Sequence, residues 1–438
     1  SPPCRSRRRT GGGRCRMTAP LRRSPQYDAL AEPRTYLAGP PYELFRTLRR
    51  EAPVAWIEEP EVLRRSGELV RSSRGPGFWA VTSHALVDEV SRRPDLFSSA
   101  VRGPFLPEPQ SRGDLERMRR MLVGMDAPEH RAYRERVTQV LDRRAVRAMQ
   151  ESIDRHAQAV VRRAVRAEAF EAVADLAAEL PLLVLADFLG VPRQDRGLFM
   201  EWSNALVGFD DPAFGGGDIR VFKQAIADAF GYAADIRADR LYRPRDDLVS
   251  RLVRSETDGR RLTELEFSHL WLLLIVAGNE TTRHLLSAGL ELVTAAPEVA
   301  GQLAADQELL PTFVDELLRW STPIMQFRRT ATNDTVLGTQ PIAAGDKVVL
   351  YYVSANRDET VFTEPDRFDP RRSPNPHLAF GVGPHFCLGW HVARAEAVAL
   401  FGAFRPWLTR LGRGADPVRL ESNFMNGIRE LRMVVREQ

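Results

Sequence analysis

The sequence predicts a mainly α-helical fold with small β-sheets, built as one large domain. Three observations point there. Apolar residues recur at intervals of three and four through most of the chain, strand-like runs are few and short, and Pro and Gly are scattered as punctuation rather than gathered into a linker. No internal repeat competes with this reading. At 438 residues, 43% hydrophobic and 27% charged, the chain can bury a large core.

In chain order, helical spacing appears in YELFRTLRREA (42–52), in HALVDEVSRR (84–93), from Glu129 to about Arg166, and from Leu182 to Leu189. Strand signals are GFWAV (77–81), TVLG (335–338) and KVVLYYV (347–353), each beside turn residues. The clearest helix starts at Leu262, where Thr263 and Glu266 form a capping-box pattern, and runs to Ala296 before Pro297 stops it. Roughly 33 residues at 1.5 Å each span about 50 Å, enough to cross the molecule. Its middle, AGNETT (277–282), sets a glycine, a carboxylate and two hydroxyls into an apolar run. Buried polar groups are costly unless paired, so a functional site is expected at that point.

Charge excludes one function class. Residues 1–23 hold eight Arg and no Asp or Glu, and the formal charge of +4 less those eight leaves about −4 for the remainder. A basic leader on a slightly acidic body does not make the clustered basic face that nucleic acid requires, and no nucleic-acid function is expected. The leader lacks the apolar run of a secretory signal; it reads as a disordered segment preceding a single domain over 24–438, with Met17 a candidate natural start. The most apolar stretch, LWLLLIVAG (270–278), is about half of what a membrane span needs, so a cytoplasmic protein is expected. Of three cysteines, Cys4 and Cys15 lie in the leader and Cys387 stands alone in the body, which excludes a disulfide framework.

Cys387 sits in FGVGPHFCLG (380–389). A lone cysteine is often a small buried hydrophobe. Here the glycines permit a tight turn and close approach to a flat ligand, loop amides can stabilise a sulfur anion, and a helix from about Leu388 would add its dipole. One buried thiolate without a second cysteine suits a single axial bond to haem iron better than zinc. Upstream, DELLRW (315–320) places Glu316 and Arg319 on one helix face, either as a solvated surface pair or as a buried one.

Together, FGVGPHFCLG, ELLR and AGNETT resemble the signature of the cytochrome P450 family, in its order and spacing, with similarity in kind from about Tyr36 to Val435. The resemblance implies that fold, with a long central helix over haem b. It implies Cys387 as the iron's thiolate ligand, with Phe380 packed on the thiolate side, Gly381 in the loop, and His130, Arg134, Arg329 and His385 as candidates to hold the haem propionates. Arg134 and Arg329 could equally be solvated charges. Ala277 and Gly278 would leave room above the haem, Thr281 would bond dioxygen and Glu280 would relay protons from solvent; otherwise Thr281 simply bonds the carbonyl four residues back. Glu316, Arg319 and Arg367 would form a buried structural network.

The implied function is a monooxygenase inserting one oxygen atom of O2 into a C–H bond of a hydrophobic substrate. With no flavin, dinucleotide or iron–sulfur motif in the chain, electrons from NAD(P)H would arrive through a ferredoxin and its reductase. Arg131, Arg136, Arg143 and Arg144 are candidates for a basic docking face, or for a merely solubilising one. The pocket is expected to draw on the loop from Phe97 to Met125, the segment from about Leu189 to Ala238, Leu274, Ile275 and Ala277, and Pro323 to Phe327. GPGFWAVTSHALVDEVSRRPDLFSS, RWSTPIMQFRRTATND, SANRDETVF and NPHLAFG look like the actinobacterial branch that oxidises sterol side chains and methyl-branched lipids. Terpenoid, polyketide and xenobiotic oxidation, a peroxide-driven oxygenase and a non-catalytic haem-thiolate protein are the alternatives. Departures from the family pattern are Pro384, Trp390 and the Gly-rich stretch 207–222.

Overall fold

The structure is a computed structural model that describes residues 25–66, 69–140, 143–207, 218–257 and 260–436. The leader with Cys4 and Cys15, and most of the Gly-rich stretch, lie outside the described residues.

Fourteen α-helices are described, and the expected helices are among them. α1 is Tyr42–Glu51 and α2 is His84–Arg92; α3 follows at Arg112–Arg120. The periodic stretch from Glu129 divides into α4 (Glu129–Val140) and α5 (Arg143–Ala167). After α6 (Glu179–Leu189), α7 (Arg196–Val207), α8 (Ile219–Tyr242) and α9 (Leu248–Arg254) comes the central helix α10, Glu264–Ala295. Its start is set by reciprocal bonds: Thr263 Oγ1 accepts from the Glu266 N–H at 3.2 Å, and the Glu266 carboxylate accepts from the Thr263 N–H at 2.8 Å. Its 32 residues run unbroken through AGNETT, and Pro297 opens the next helix. α11 (Pro297–Ala305), α12 (Leu310–Ser321), the short α13 (Tyr352–Ala355) and α14 (Trp390–Phe404) complete the set.

α10 packs against α6, α7, α8, α12 and α14, so it is buried nearly all round. Where α10 crosses α12 and α14, a Cβ on Gly289 would run into Phe401 and lie 2.6 Å from Leu317, so only glycine allows this approach. On the other side, Phe199 and Trp202 of α7, Tyr232 of α8 and Trp271 of α10 form an aromatic stack with centroids 5.5–6.1 Å apart.

The main sheet has five strands in the order Val54–Ile57, Phe78–Val81, Lys347–Tyr351, Gln326–Ala331, Phe97–Ser98. Phe78–Val81 and Lys347–Tyr351 pair in parallel and the rest antiparallel. Register sets Phe327 opposite Leu350 and Arg329 opposite Val348, so both side chains share one face, and both line the cavity described below. Arg328 on the other face pairs with Glu108 at 2.9 Å, beside the Lys347 ammonium bonded to Glu59 at 2.7 Å. Lys347 also donates to the Leu106 carbonyl, and the Arg328 N–H to that of Pro104, fixing the loop that carries Phe105. Among the described residues no helix is long and apolar enough to cross a membrane.

Candidate active site

The cysteine loop is built by its glycines. The Cys387 N–H donates to the Phe380 carbonyl at 2.9 Å and the Gly381 N–H to that of Leu378 at 2.9 Å, closing a tight turn. Gly381 and Gly383 have φ of +68° and +74°, and a Cβ on Gly383 would stand 2.6 Å from the Ser91 carbonyl oxygen of α2. Gly389 is the N-cap residue of α14, so the helix starts two positions later than the Leu388 expected from the sequence. Burial pushes the Cys387 thiol up, while the Gly389 N–H and the Arg134 charge pull it down; burial is the larger effect. A metal ion bonded to Sγ would favour the thiolate against that burial.

Cys387 faces a cavity of about 330 Å³ roofed by Ala277, Gly278, Glu280 and Thr281 of α10. At its edge stand His130, Arg134, Arg329 and His385. The His130 and His385 rings lie 4.3 Å apart, with His385 Nε2 3.3 Å from Ser99 Oγ. Burial first, then neighbouring Arg134, holds His130 down at about 4. Arg329 donates from Nη1 to the Arg328 carbonyl, while His130 Nε2 is buried without a partner and the Arg134 guanidinium has none among the described residues. A soft sulfur ligand at the floor with unsatisfied cationic and imidazole donors at one rim fits haem, a flat metal complex carrying two carboxylates.

On α10, Gly278 is 3.5 Å from Leu185 of α6 counted from an added Cβ, so this wall is close but not tight. Thr281 Oγ1 donates to the Ala277 carbonyl at 2.9 Å, the back-bond that was the alternative to a relay, while its oxygen can still accept a bond from the cavity. Glu280 is buried, accepts from Ser203 Oγ of α7 at 3.1 Å and pairs with Arg283 at 2.5 Å. Burial raises its proton affinity against the opposing pull of Arg283 and Ser203.

Glu316 and Arg319 are a fully buried pair, joined at 2.7 and 2.8 Å. Arg367 is not its third member. Its guanidinium is exposed and pairs with Glu364, contributing only a backbone carbonyl, whereas Arg372 donates from Nε to both Glu316 oxygens at 3.0 and 3.1 Å. The irregular loop after Pro365 turns Arg367 outward and folds Arg372 back, together with the Asp369 N–H and Asn375 Nδ2. Arg136 also departs from expectation: it lies 4% exposed on the α4 face of Tyr133 and Val137, whereas Arg131 pairs on the surface with Glu135 and Arg144 is exposed. Ile275 faces the core rather than the cavity. The lining described around the cavity comes from Val184, Leu185 and Phe188 of α6 instead of the segment after Leu189, and Phe424 joins Phe105 and Phe327 with centroids 5.5–6.1 Å apart.

Three comparisons bear on this site. A family model for cytochrome P450 matches residues 109–404. The steroid C26-monooxygenase of Rhodococcus jostii is 36% identical over 407 residues, covering 92% of this chain and 83% of that protein. The methyl-branched lipid omega-hydroxylase of Mycobacterium tuberculosis is 37% identical over 392 residues, covering 88% and 89%. Among solved structures, a Mycobacterium marinum cytochrome P450 in complex with pseudoionone superposes with a TM-score of 0.83 at 38% identity, covering 92% of this chain and 97% of that one. The chain belongs to the cytochrome P450 family. It is a haem-dependent monooxygenase, an oxidoreductase acting on a lipophilic substrate with O2 and with electrons that originate on NAD(P)H.

Proposed function

We propose that the chain hydroxylates an unactivated C–H bond on a sterol side chain or a methyl-branched fatty-acyl chain. A ferredoxin and its reductase would bring the electrons, in the cytoplasm. The observation that carries the substrate class is the apolar part of the cavity lining: Phe105, Phe327 and Phe424 in mutual contact, with Leu185, Phe188 and Leu274, which holds an apolar chain by shape. The named activities of the Rhodococcus and Mycobacterium relatives support the same class.

In this reading Cys387 Sγ would bind the iron and Phe380 would pack on the sulfur side of the loop, turned by Gly381. Arg134 and Arg329 would neutralise the two carboxylates by forked donors, and the uncharged His130 and His385 rings would donate hydrogen bonds to them. Bound haem supplies the reductive activation of dioxygen. The Thr281 oxygen accepts a bond from the cavity, and Glu280, kept protonated more readily by burial, gives its proton toward Thr281. Ala277 and Gly278 leave the space where substrate and oxygen meet. Glu316, Arg319 and Arg372 hold the loop that precedes the cysteine. Titrating the haem-loaded protein with a cholesterol-type sterol and a methyl-branched fatty acid should shift the Soret band, with one of them hydroxylated in a ferredoxin-driven assay. Absence of both shift and product, in protein that gives the red-shifted CO band, overturns the substrate class.

A further inference from the structure

Among the described residues, those from Ser99 to Ser111 form no helix or strand, yet Phe105 within them lines the cavity. The hydrogen bonds on either side of Phe105 come from the main sheet. The Pro104 carbonyl accepts from the Arg328 N–H at 2.8 Å, and the Leu106 carbonyl accepts from Lys347 Nζ at 3.0 Å. Leu106 itself belongs to the core that contains Met325, Val349 and Tyr351. Phe105 meets the Phe327 and Phe424 rings with centroids 6.1 and 5.7 Å away, and those two meet at 5.5 Å. Phe327 is part of a sheet strand, and Phe424 is tied to the residue before that strand, its carbonyl accepting from the Met325 N–H at 2.8 Å. Phe105 alone of the three has a flanking bond that comes from a side chain, that of Lys347. That side chain lies on the face of the sheet away from the cavity, beside Arg328. Its buried ammonium donates to Glu59 at 2.7 and 2.9 Å and stands 3.0 Å from Glu108, whose same oxygen pairs with buried Arg328 at 2.9 Å. Burying four charges is seldom the most stable way to fill such a space, so a demand for one loop geometry is the better account of them.

We propose that Lys347 is a positioning residue for specificity. By holding the Leu106 carbonyl and Glu108 it locks Phe105 against Phe327 and Phe424, and the locked rings set which carbon of the substrate is attacked. Phe327 lies two residues before Arg329 on the same face of its strand, so the aromatic wall begins beside the Arg329 rim of the cavity. A fixed wall there admits a chain end more readily than a bend in the middle of a chain, which favours oxidation at terminal carbons. The inference rests on the reading of the cavity as a site for an apolar chain. Lys347 touches no substrate in this account and acts only through the loop.

The test compares K347M, F105A and the double variant, each rated per haem that gives the red-shifted CO band. Methionine keeps the length of the side chain and donates no bond. K347M is also made together with E59Q, so that no carboxylate is left buried without its cation and loss of folding does not decide the result. One readout needs no substrate: imidazole and 4-phenylimidazole are titrated against the haem-loaded protein, each followed by the Soret shift on binding. The other is the ratio of terminal to in-chain alcohol formed from the sterol or the branched acid. K347M should raise the affinity for 4-phenylimidazole relative to imidazole by about tenfold, F105A by at least as much, and the double variant by no more than F105A. The terminal fraction of the product should fall in all three. A merely structural lysine would lower the urea midpoint and leave both ratios as in wild type, which overturns the inference. So would an F105A variant with an unchanged affinity ratio, since the ring would then not be the wall. If the affinity ratios move as expected and neither lipid is hydroxylated, the substrate reading fails and the control of Phe105 by Lys347 stands.

Discussion

Thr281 and Glu280 sit side by side on α10 but face different partners. The Thr281 hydroxyl donates to the Ala277 carbonyl, which leaves its oxygen free to accept from the cavity. T281A should therefore keep the red-shifted CO band and lower product per NAD(P)H by about tenfold, with peroxide making up the difference; unchanged coupling would remove Thr281 from proton delivery. Arg372 offers a second contrast. It completes the bonding of a fully buried carboxylate, so R372A should cost roughly 3 kcal/mol, whereas R367A, at an exposed pair, should change stability by less than about 0.5 kcal/mol; urea midpoints of the two variants decide it. At this scale the cysteine loop, AGNETT and ELLR were legible because each is a short run whose spacing is its chemistry. Arg372 was not, because DRFDPRR offers three arginines on an irregular loop with no period to say which one turns inward.

Helix α10 shows how far an element can be read. The capping box, the stop at Pro297 and the length all follow from neighbours in sequence. What sequence cannot show is the crossing at Gly289, which depends on Leu317 and Phe401 from two other helices. G289A should force those side chains aside and cost about 2 kcal/mol, read as a lower urea midpoint with the CO band position unchanged. A midpoint equal to wild type would mean that the helices part without strain. The strand Gln326–Ala331 escaped notice for a related reason: QFRRTA looks like a polar surface run, and its burial is possible only because Glu108 meets Arg328. The role of α6 in the cavity was missed because helical spacing reports an apolar face and not what that face covers.

For the whole molecule, the sheet joins strands from near residue 54 and near residue 350, an order that long-range pairing alone decides. The basic docking face is thinner than the count of arginines suggested, since Arg136 is buried and Arg131 is paired. Exposed Arg144 can still contribute. Reduction by an acidic ferredoxin should slow about threefold between 50 and 300 mM salt, a weak slope for so arginine-rich a chain; no change would place docking on apolar contacts.

The stack of Phe199, Trp202, Tyr232 and Trp271 has a consequence in optics. Trp202 rides on α7 and Trp271 on α10, at 5% and 1% exposure, so both emit from a dry environment while the two helices stay together. Ser203, which holds the Glu280 carboxyl, is the neighbour of Trp202 on the same helix. Any swing of α7 that takes Ser203 away from Glu280 must also wet an indole. The molecule thus carries its own fluorescent gauge of the contact between α7 and the central helix.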